Sequence, residues 1–320
     1  MELNNQKKTI IFFIILEISL FVIFFSFLPK GVFAGVGENN VTVITYLDIG
    51  NVFPELSNIT IQNNASSVAL IPNSTKLIYC SALATDYNGW NDVNHASGVF
   101  FDHYNSTYGA ADDNNLHYTN SSCTITQDGT YTDWINCTFN VWYYANPGLW
   151  NCTIRVNDSF NKEAYGSDTI SVSSLLALGL PDSIHYGLVN ATEVSLENLT
   201  NVTNYGNVRL NLSLSGYGFK LNDGNAMNCT LGAIRNISIQ HEKYNLTNSN
   251  PGVIDLPQLI ANYTNLTSSP VVRTFNLEYR QNDVTNEAIN ATYWRIYVPL
   301  GVAGTCQGNI VFGATVGPGT

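Results

Sequence analysis

Oxygen-bearing side chains crowd one short stretch, Asp86-Tyr87-Asn88-Gly89-Trp90-Asn91-Asp92. Asp86, Asn88 and Asp92 are candidate calcium ligands, because calcium takes several hard oxygens at turns of this kind. The stretch is not an EF-hand, whose closing bidentate Glu is missing. The same residues also suit an Asx turn, in which Asp or Asn bonds its own backbone, and both readings stand. Asp112-Asp113-Asn114 reads as a solvated loop. His95, His103 and His117 are spaced too irregularly for a local zinc motif. No Walker loop, His-Glu-x-x-His helix or dinucleotide fingerprint occurs. Ser213-Leu214-Ser215-Gly216-Tyr217-Gly218 comes nearest to a nucleophile elbow and lacks the glycine before the serine. A glycosidase needs two positioned carboxylates, and none of the 24 acidic residues is marked out. The expectation is a protein that is not an enzyme and needs no cofactor, calcium aside.

Six cysteines suit an oxidising compartment. Cys80 lies in phase with Ile78 and Ala82, and Cys152 with Trp150, Ile154 and Val156, so both point inward on strands. Cys123 and Cys137 stand at mirror positions about the turn Gln127-Asp128-Gly129-Thr130, which places them opposite each other in a hairpin. Four cysteines allow three connectivities; the pairing Cys80–Cys152 with Cys123–Cys137 is the one expected. Cys229 and Cys306 remain to close a long loop in the second half.

Asn-x-Ser/Thr sequons number 19 where composition alone gives about seven. An abundance of Asn does not by itself put Ser or Thr two places later. Phase supplies a second argument. Asn136 and Asn151 alternate with apolar neighbours, as do Asn58, Asn211 and Asn236. A glycan needs that solvent face. Asn40, Asn58, Asn136, Asn151, Asn211, Asn228 and Asn236 are the expected attachment sites. Polar residues face outward in any case, so phase alone does not prove glycosylation.

Net charge is -11, with Lys+Arg 13 against Asp+Glu 24. That balance excludes a nucleic-acid footprint. Residues 9–28 are apolar apart from Glu17, follow Lys7 and Lys8, and precede Val32-Phe33-Ala34. This is the order of a secretory leader cleaved before Gly35. Its length also suits an uncleaved membrane anchor, which is then the only contact with a membrane.

Beyond the leader no helical period is evident. Short runs rich in Val, Ile, Thr and Tyr alternate with Asn/Gly/Asp/Ser turns, an all-β pattern. A lead-in strand is expected at residues 40–49. Strands follow near 57–62, 76–85, 97–103, 121–126, 132–143, 148–156 and 167–174. A second set lies near 184–189, 193–203, 207–215, 226–231, 235–240, 270–279, 293–298 and 307–313. Asn204-Tyr205-Gly206-Asn207 reads as a hairpin turn, and 243–268 as a long exposed loop. Trp150 and Trp294 are in phase with core positions. Trp90 and Trp142 lie beside turns or out of phase, free to act as stacking platforms.

At these residues a resemblance enters. Ala84-Thr85-Asp86-Tyr87-Asn88-Gly89-Trp90-Asn91-Asp92-Val93 is similar to a turn of immunoglobulin-like repeats in archaeal and bacterial surface proteins. Trp142-Tyr143-Tyr144-Ala145-Asn146-Pro147-Gly148-Leu149-Trp150 resembles the same repeats near their last strands, and Val202–Val208 the hairpin of secreted β-sandwiches. The Cys80–Cys152 pair resembles their inter-sheet bridge. The resemblance implies an exported surface protein and assigns no catalytic residue. The expected organisation is a signal peptide or anchor over 1–34, the lead-in strand over 35–50, and two tandem Ig-like β-sandwiches over 51–175 and 176–320. The expected function is that of a secreted, N-glycosylated, disulfide-stabilised structural protein of the cell surface: an envelope, stalk or filament component. Its partners would be the cell envelope or other copies of itself, with residues 40–49 adding to a sheet edge of another copy or pairing within their own. The alternative is an adhesin or carbohydrate-binding module with a glycan ligand held by Trp90 and Trp142.

Overall fold

The computed structural model describes residues 42–281 and 288–317. The leader and Asn40 lie outside them. Among the described residues no helix is long and apolar enough to cross a membrane. The chain divides into two units, Met1–Gly50 and Asn51–Thr320, and the elements below belong to the second.

The first half of that unit contains β1 (Glu55–Ile61), β2 (Ser67–Val68), β3 (Thr75–Thr85), β4 (Val93–Asp102), β5 (His117–Asn120), β6 (Thr124–Gln127), β7 (Thr132–Trp142), β8 (Gly148–Asp158) and β9 (Glu163–Val172). Period-two sequence makes these strands two-faced. Along β7, for example, Ile135, Cys137, Phe139 and Val141 are buried while Trp134, Asn136, Thr138 and Asn140 are exposed. The strands form sheets ordered β1-β3-β7-β6 and β2-β9-β8-β4-β5. All pair antiparallel except β2 beside β9. The inner faces meet in one core around Ile78, Phe100, Ile135, Trp150 and Ile154, with Phe100 stacked on Trp150 at 4.8 Å between ring centroids. Cys80 on β3 and Cys152 on β8 bridge the two sheets, with Cα atoms 6.6 Å apart. That is the position of the inter-sheet bridge in immunoglobulin folds. Cys123 and Cys137 bridge at the head of the β6–β7 hairpin, whose ladder begins with Thr124 opposite Asn136. Gly98 makes room for it: a Cβ there would lie 2.7 Å from the Cys137 sulfur.

The second half contains β10 (Leu178–Gly179), β11 (Asn198–Asn204), β12 (Leu210–Tyr217), β13 (Asn225–Gly232), β14 (Asn236–Ser238), β15 (Glu242–Asn245), helix α1 (Leu256–Asn262), β16 (Thr264–Asn265), β17 (Val271–Leu277), β18 (Ile289–Ile296) and β19 (Val302–Val316). Its sheets run β10-β11-β18-β15-β16 and β14-β13-β19-β12-β17. The long β19 pairs with β13 at its start and β12 at its end. Cys229 and Cys306 face each other across β13 and β19 and are bonded, tying two strands of one sheet. The core gathers Leu210, Leu212, Leu214, Tyr244 and Trp294.

Four expectations change. Residues 42–50 carry no strand pairing and are exposed, because a strand needs a partner ladder and the described residues provide none. Asn204-Tyr205-Gly206-Asn207 is not a hairpin turn: β11 pairs with β18 and β12 with β19, so the turn carries the chain from one sheet to the facing one. Residues 184–189 form no strand; Ile184 and Tyr186 pack against the core as a plug without a ladder. The expected loop at 243–268 holds β15, α1 and β16. Asp255 caps α1, accepting from the Gln258 amide at 2.8 Å while the Gln258 side chain accepts from the Asp255 amide at 3.0 Å. Asp255-Leu256-Pro257-Gln258 is a capping box with an early proline, a helix-start signal present in the sequence.

Candidate functional site

Asp86 follows β3, Asp92 ends a single 3-10 turn before β4, and Asp158 ends β8. The sandwich brings one carboxylate oxygen of each to within 4.8 Å of the others. Asp86 and Asp158 are fully buried. Asn88 does not join them: its Oδ1 accepts from the Val52 amide at 2.7 Å. Asp158 takes that place, a residue the local spacing did not mark. Its Oδ1 accepts from the amides of Phe160 at 2.9 Å and Lys162 at 2.7 Å, and its Oδ2 from Asn51 Nδ2 at 2.6 Å. Asp86 Oδ1 accepts from the Asn88 amide at 2.9 Å, the Asx turn read from sequence. Asp92 Oδ1 accepts from the Ser159 hydroxyl. Asp86 Oδ2, Asp92 Oδ2 and Asn51 Oδ1 are buried without a donor. Burial pushes the Asp86 carboxyl up; the Asn88 amide opposes this, and the charges of Asp92 and Asp158 add to the rise. Burial also acts to raise Asp158, but the bonds from Asn51, Lys162 and Phe160 outweigh it and leave the group low.

The histidines form no such cluster among the described residues. His95 and His103 are exposed. His117 is buried with Nδ1 3.0 Å from the Ser106 hydroxyl, and burial lowers its pKa.

The aromatic candidates are exposed but apart. Trp90 follows one end of β3, and Trp142 pairs with Thr75 at the other end of that 11-residue strand. Roughly 30 Å separates such ends, so one small ligand cannot span both. Trp142 shares the outward face of β7 with Trp134 and Asn136. It also stacks on Tyr144, with ring centroids 5.8 Å apart.

The sequon asparagines Asn58, Asn136 and Asn236 are exposed; Asn151 and Asn228 are half-buried. Asn211 corrects the expectation. It is buried, and its Oδ1 accepts from the amides of Phe275 at 2.8 Å and Asn276 at 3.0 Å. Between Leu210 and Leu212 the β12–β17 register shifts because β17 carries extra residues there, and their bulge covers Asn211, whose own ladder with β19 is regular.

A buried polar join between the halves left no mark in the sequence beyond the misread turn. Asn207 is fully buried. Its Oδ1 accepts from the Leu175 amide at 2.6 Å, and its Nδ2 donates to the carbonyls of Ala145 at 3.0 Å and Ser173 at 3.1 Å. Gly206 lets the backbones close: a Cβ would lie 2.0 Å from the Leu175 carbonyl oxygen. Asn115 Nδ2 donates to the carbonyls of Tyr144 and Arg280 at 2.8 and 2.9 Å. The Arg280 guanidinium lies 4.7 Å from the Tyr144 ring centroid.

One further acid stands out in the second half. Glu242 is 1% exposed and lines a cleft of 470 Å³ together with Asp182, His185 and Tyr186. Burial pushes its carboxyl up to about 7, against the lowering effect of the Tyr186 hydroxyl, which donates to it at 2.9 Å.

No family model and no curated protein matches the chain. Solved structures give weak likenesses. A chaperone–tip adhesin complex of CFA/I fimbriae is 11% identical over 82% of this chain and 85% of that one, with a TM-score of 0.28. The C-terminal domain of the BspA polypeptide of Streptococcus agalactiae is 11% identical over 82% and 96%, TM-score 0.23. A carbohydrate-binding module of the β-sandwich superfamily is 11% identical over 82% and 97%, TM-score 0.23. Likenesses this distant transfer no function.

Proposed function

We propose that this chain is an extracellular, N-glycosylated structural protein of a cell surface that assembles with copies of itself through residues 42–50. The observation that carries this reading is the exposure of that segment: Val43 74%, Ile44 72%, Tyr46 89%, Leu47 84% and Ile49 80%. Such a run of exposed apolar side chains on backbone without a ladder suits addition to a sheet edge. A recess of 600 Å³ in the second half, lined by Ile184, Tyr186, Ile237, Ile296 and Val298, offers apolar walls for a second copy's segment. Three disulfides and the polar join support a load-bearing role. Sequons at exposed Asn58, Asn136 and Asn236 support a sugar coat outside the cytosol. No catalytic role is assigned to the Glu242 cleft.

The test is a mature chain lacking residues 35–49, compared with the complete mature chain by sedimentation and electron microscopy. The complete chain is expected to form assemblies and the shortened one to stay monomeric; assembly by both refutes the reading. Intact mass of the native protein checks leader removal, glycan load and oxidised cysteines together.

A binding reading rests on the exposed face carrying Trp134 and Trp142, 40% and 36% exposed. Glycan-array binding lost on Trp142→Ala would support it.

A further inference from the structure

We propose that Asp86, Asp92 and Asp158 hold a calcium ion that fastens the segment at Asn51 to the β3–β4 connection and the end of β8. Carboxylates only accept hydrogen bonds, so their oxygens need donors or a cation once water is removed. The backbone and neighbouring side chains supply donors for one oxygen of Asp86, one of Asp92 and both of Asp158. Asp86 is wholly buried, yet its Oδ2 has no donor, and Asp92 Oδ2 and Asn51 Oδ1 share that condition. No ion pair compensates them: among the described residues the ion pairs are Arg155–Glu163 and Arg209–Glu278. Lys162 sends its ammonium over the Phe53 ring, 5.3 Å from the centroid, while its backbone amide serves Asp158. Two buried carboxylates and a half-buried third are drawn together, and the charge of Lys162, which acts on Asp158, leaves the repulsion at Asp86 and Asp92 unfavourable. A doubly charged cation resolves this.

The donor set selects calcium. All the oxygens are hard, and no His or Cys belongs to the group. Their spread, within 4.8 Å, suits ligands about 2.3–2.6 Å from a shared ion. Magnesium demands tighter octahedral geometry. The ligands come from three separate places in the chain, so the ion would act as a clip at the point where residue 51 joins the sandwich. This inference is independent of the assembly reading, since a monomer would carry the clip equally well.

The experiment uses the mature chain, stripped with EGTA and followed by thermal unfolding and by equilibrium dialysis with radioactive calcium. Calcium should raise Tm by several degrees, with half-saturation at roughly 0.1–1 mM, the range of extracellular modules, and one ion retained per chain. Asp92→Asn should abolish the Tm rise and weaken retention at least tenfold. In EGTA that variant should melt at or above the wild-type temperature, because it removes a repelling charge and keeps the oxygen that Ser159 addresses. Asp112→Asn, in an exposed loop, should respond like wild type. No retained calcium and no Tm shift in wild type, an equal response to magnesium, or a full calcium response in Asp92→Asn would each overturn the assignment. So would an Asp92→Asn variant that melts well below wild type in EGTA.

Discussion

Two buried polar clusters in this molecule follow opposite designs. The join is built from asparagines. Asn207 accepts from one backbone amide and donates to two carbonyls, and Asn204 donates to the Val208 carbonyl at 2.9 Å while accepting from the Gly206 amide at 2.8 Å. The cluster of Asp86, Asp92 and Asp158 is built from carboxylates and keeps orphaned oxygens. A neutral amide both gives and takes, so surrounding backbone can satisfy it completely. A carboxylate only takes, so converging carboxylates exhaust the donors around them. The first design stabilises by itself; the second awaits a partner.

The comparison breaks first at Asn207. Replacing it with Ala strands the Leu175 amide and the Ala145 and Ser173 carbonyls in a buried setting. A loss of about 3–5 kcal/mol is expected, at roughly 1–3 kcal/mol for each stranded group with partial relaxation. The urea midpoint should fall accordingly; a loss under about 1 kcal/mol would mean that water replaces the side chain without cost.

Glu242 extends the acceptor-only rule to the second half. Its folded pKa, about 7, exceeds the ordinary 4.5. The folded state therefore holds the proton more tightly than the unfolded state. The contribution of Glu242 to stability is fully present below 4.5, falls as pH climbs from there through 7, and is lost above it. The lost stability is about 3 kcal/mol. Glu242→Gln should flatten the urea midpoint between pH 5 and 8 while wild type declines. Parallel curves for the two proteins would show that the carboxyl ionises freely.

The smallest effect should have the opposite sign to the first. In EGTA, Asp86→Asn removes one of three like charges and keeps an oxygen for the Asn88 amide. It should stabilise the chain by roughly 1 kcal/mol. Destabilisation in chelator would place the carboxylates in the same class as the asparagines and erase the distinction.

The sandwich pattern was readable wherever a residue's role depends on which face of a strand it occupies. Trp150 and Trp294 are fully buried, and Cys80 and Cys152 point inward, as their neighbours' alternation required. Alternation misled at Asn211, because a bulge of β17 covers the face that alternation left to solvent. It misled again at residues 204–207. A glycine between asparagines suits a hairpin turn, and it also suits a crossover in which the glycine lets the Leu175 carbonyl approach. The candidate metal ligands were half legible. Asp86 and Asp92 lie in one turn, whereas Asp158 and Asn51 arrive from distant positions.

By itself, the sequence determined an all-β chain, the direction of its core side chains and the cysteines that face one another across a turn. These follow from steric alternation and turn chemistry, which act over a few residues. The tertiary structure alone decided that Asn207 would reach Ala145 and Ser173, and that Asn51, Asp86, Asp92 and Asp158 would crowd together. Those meetings depend on how sheets stack and which strands exchange ladders, and that is fixed by the burial of whole faces rather than by any short run of residues.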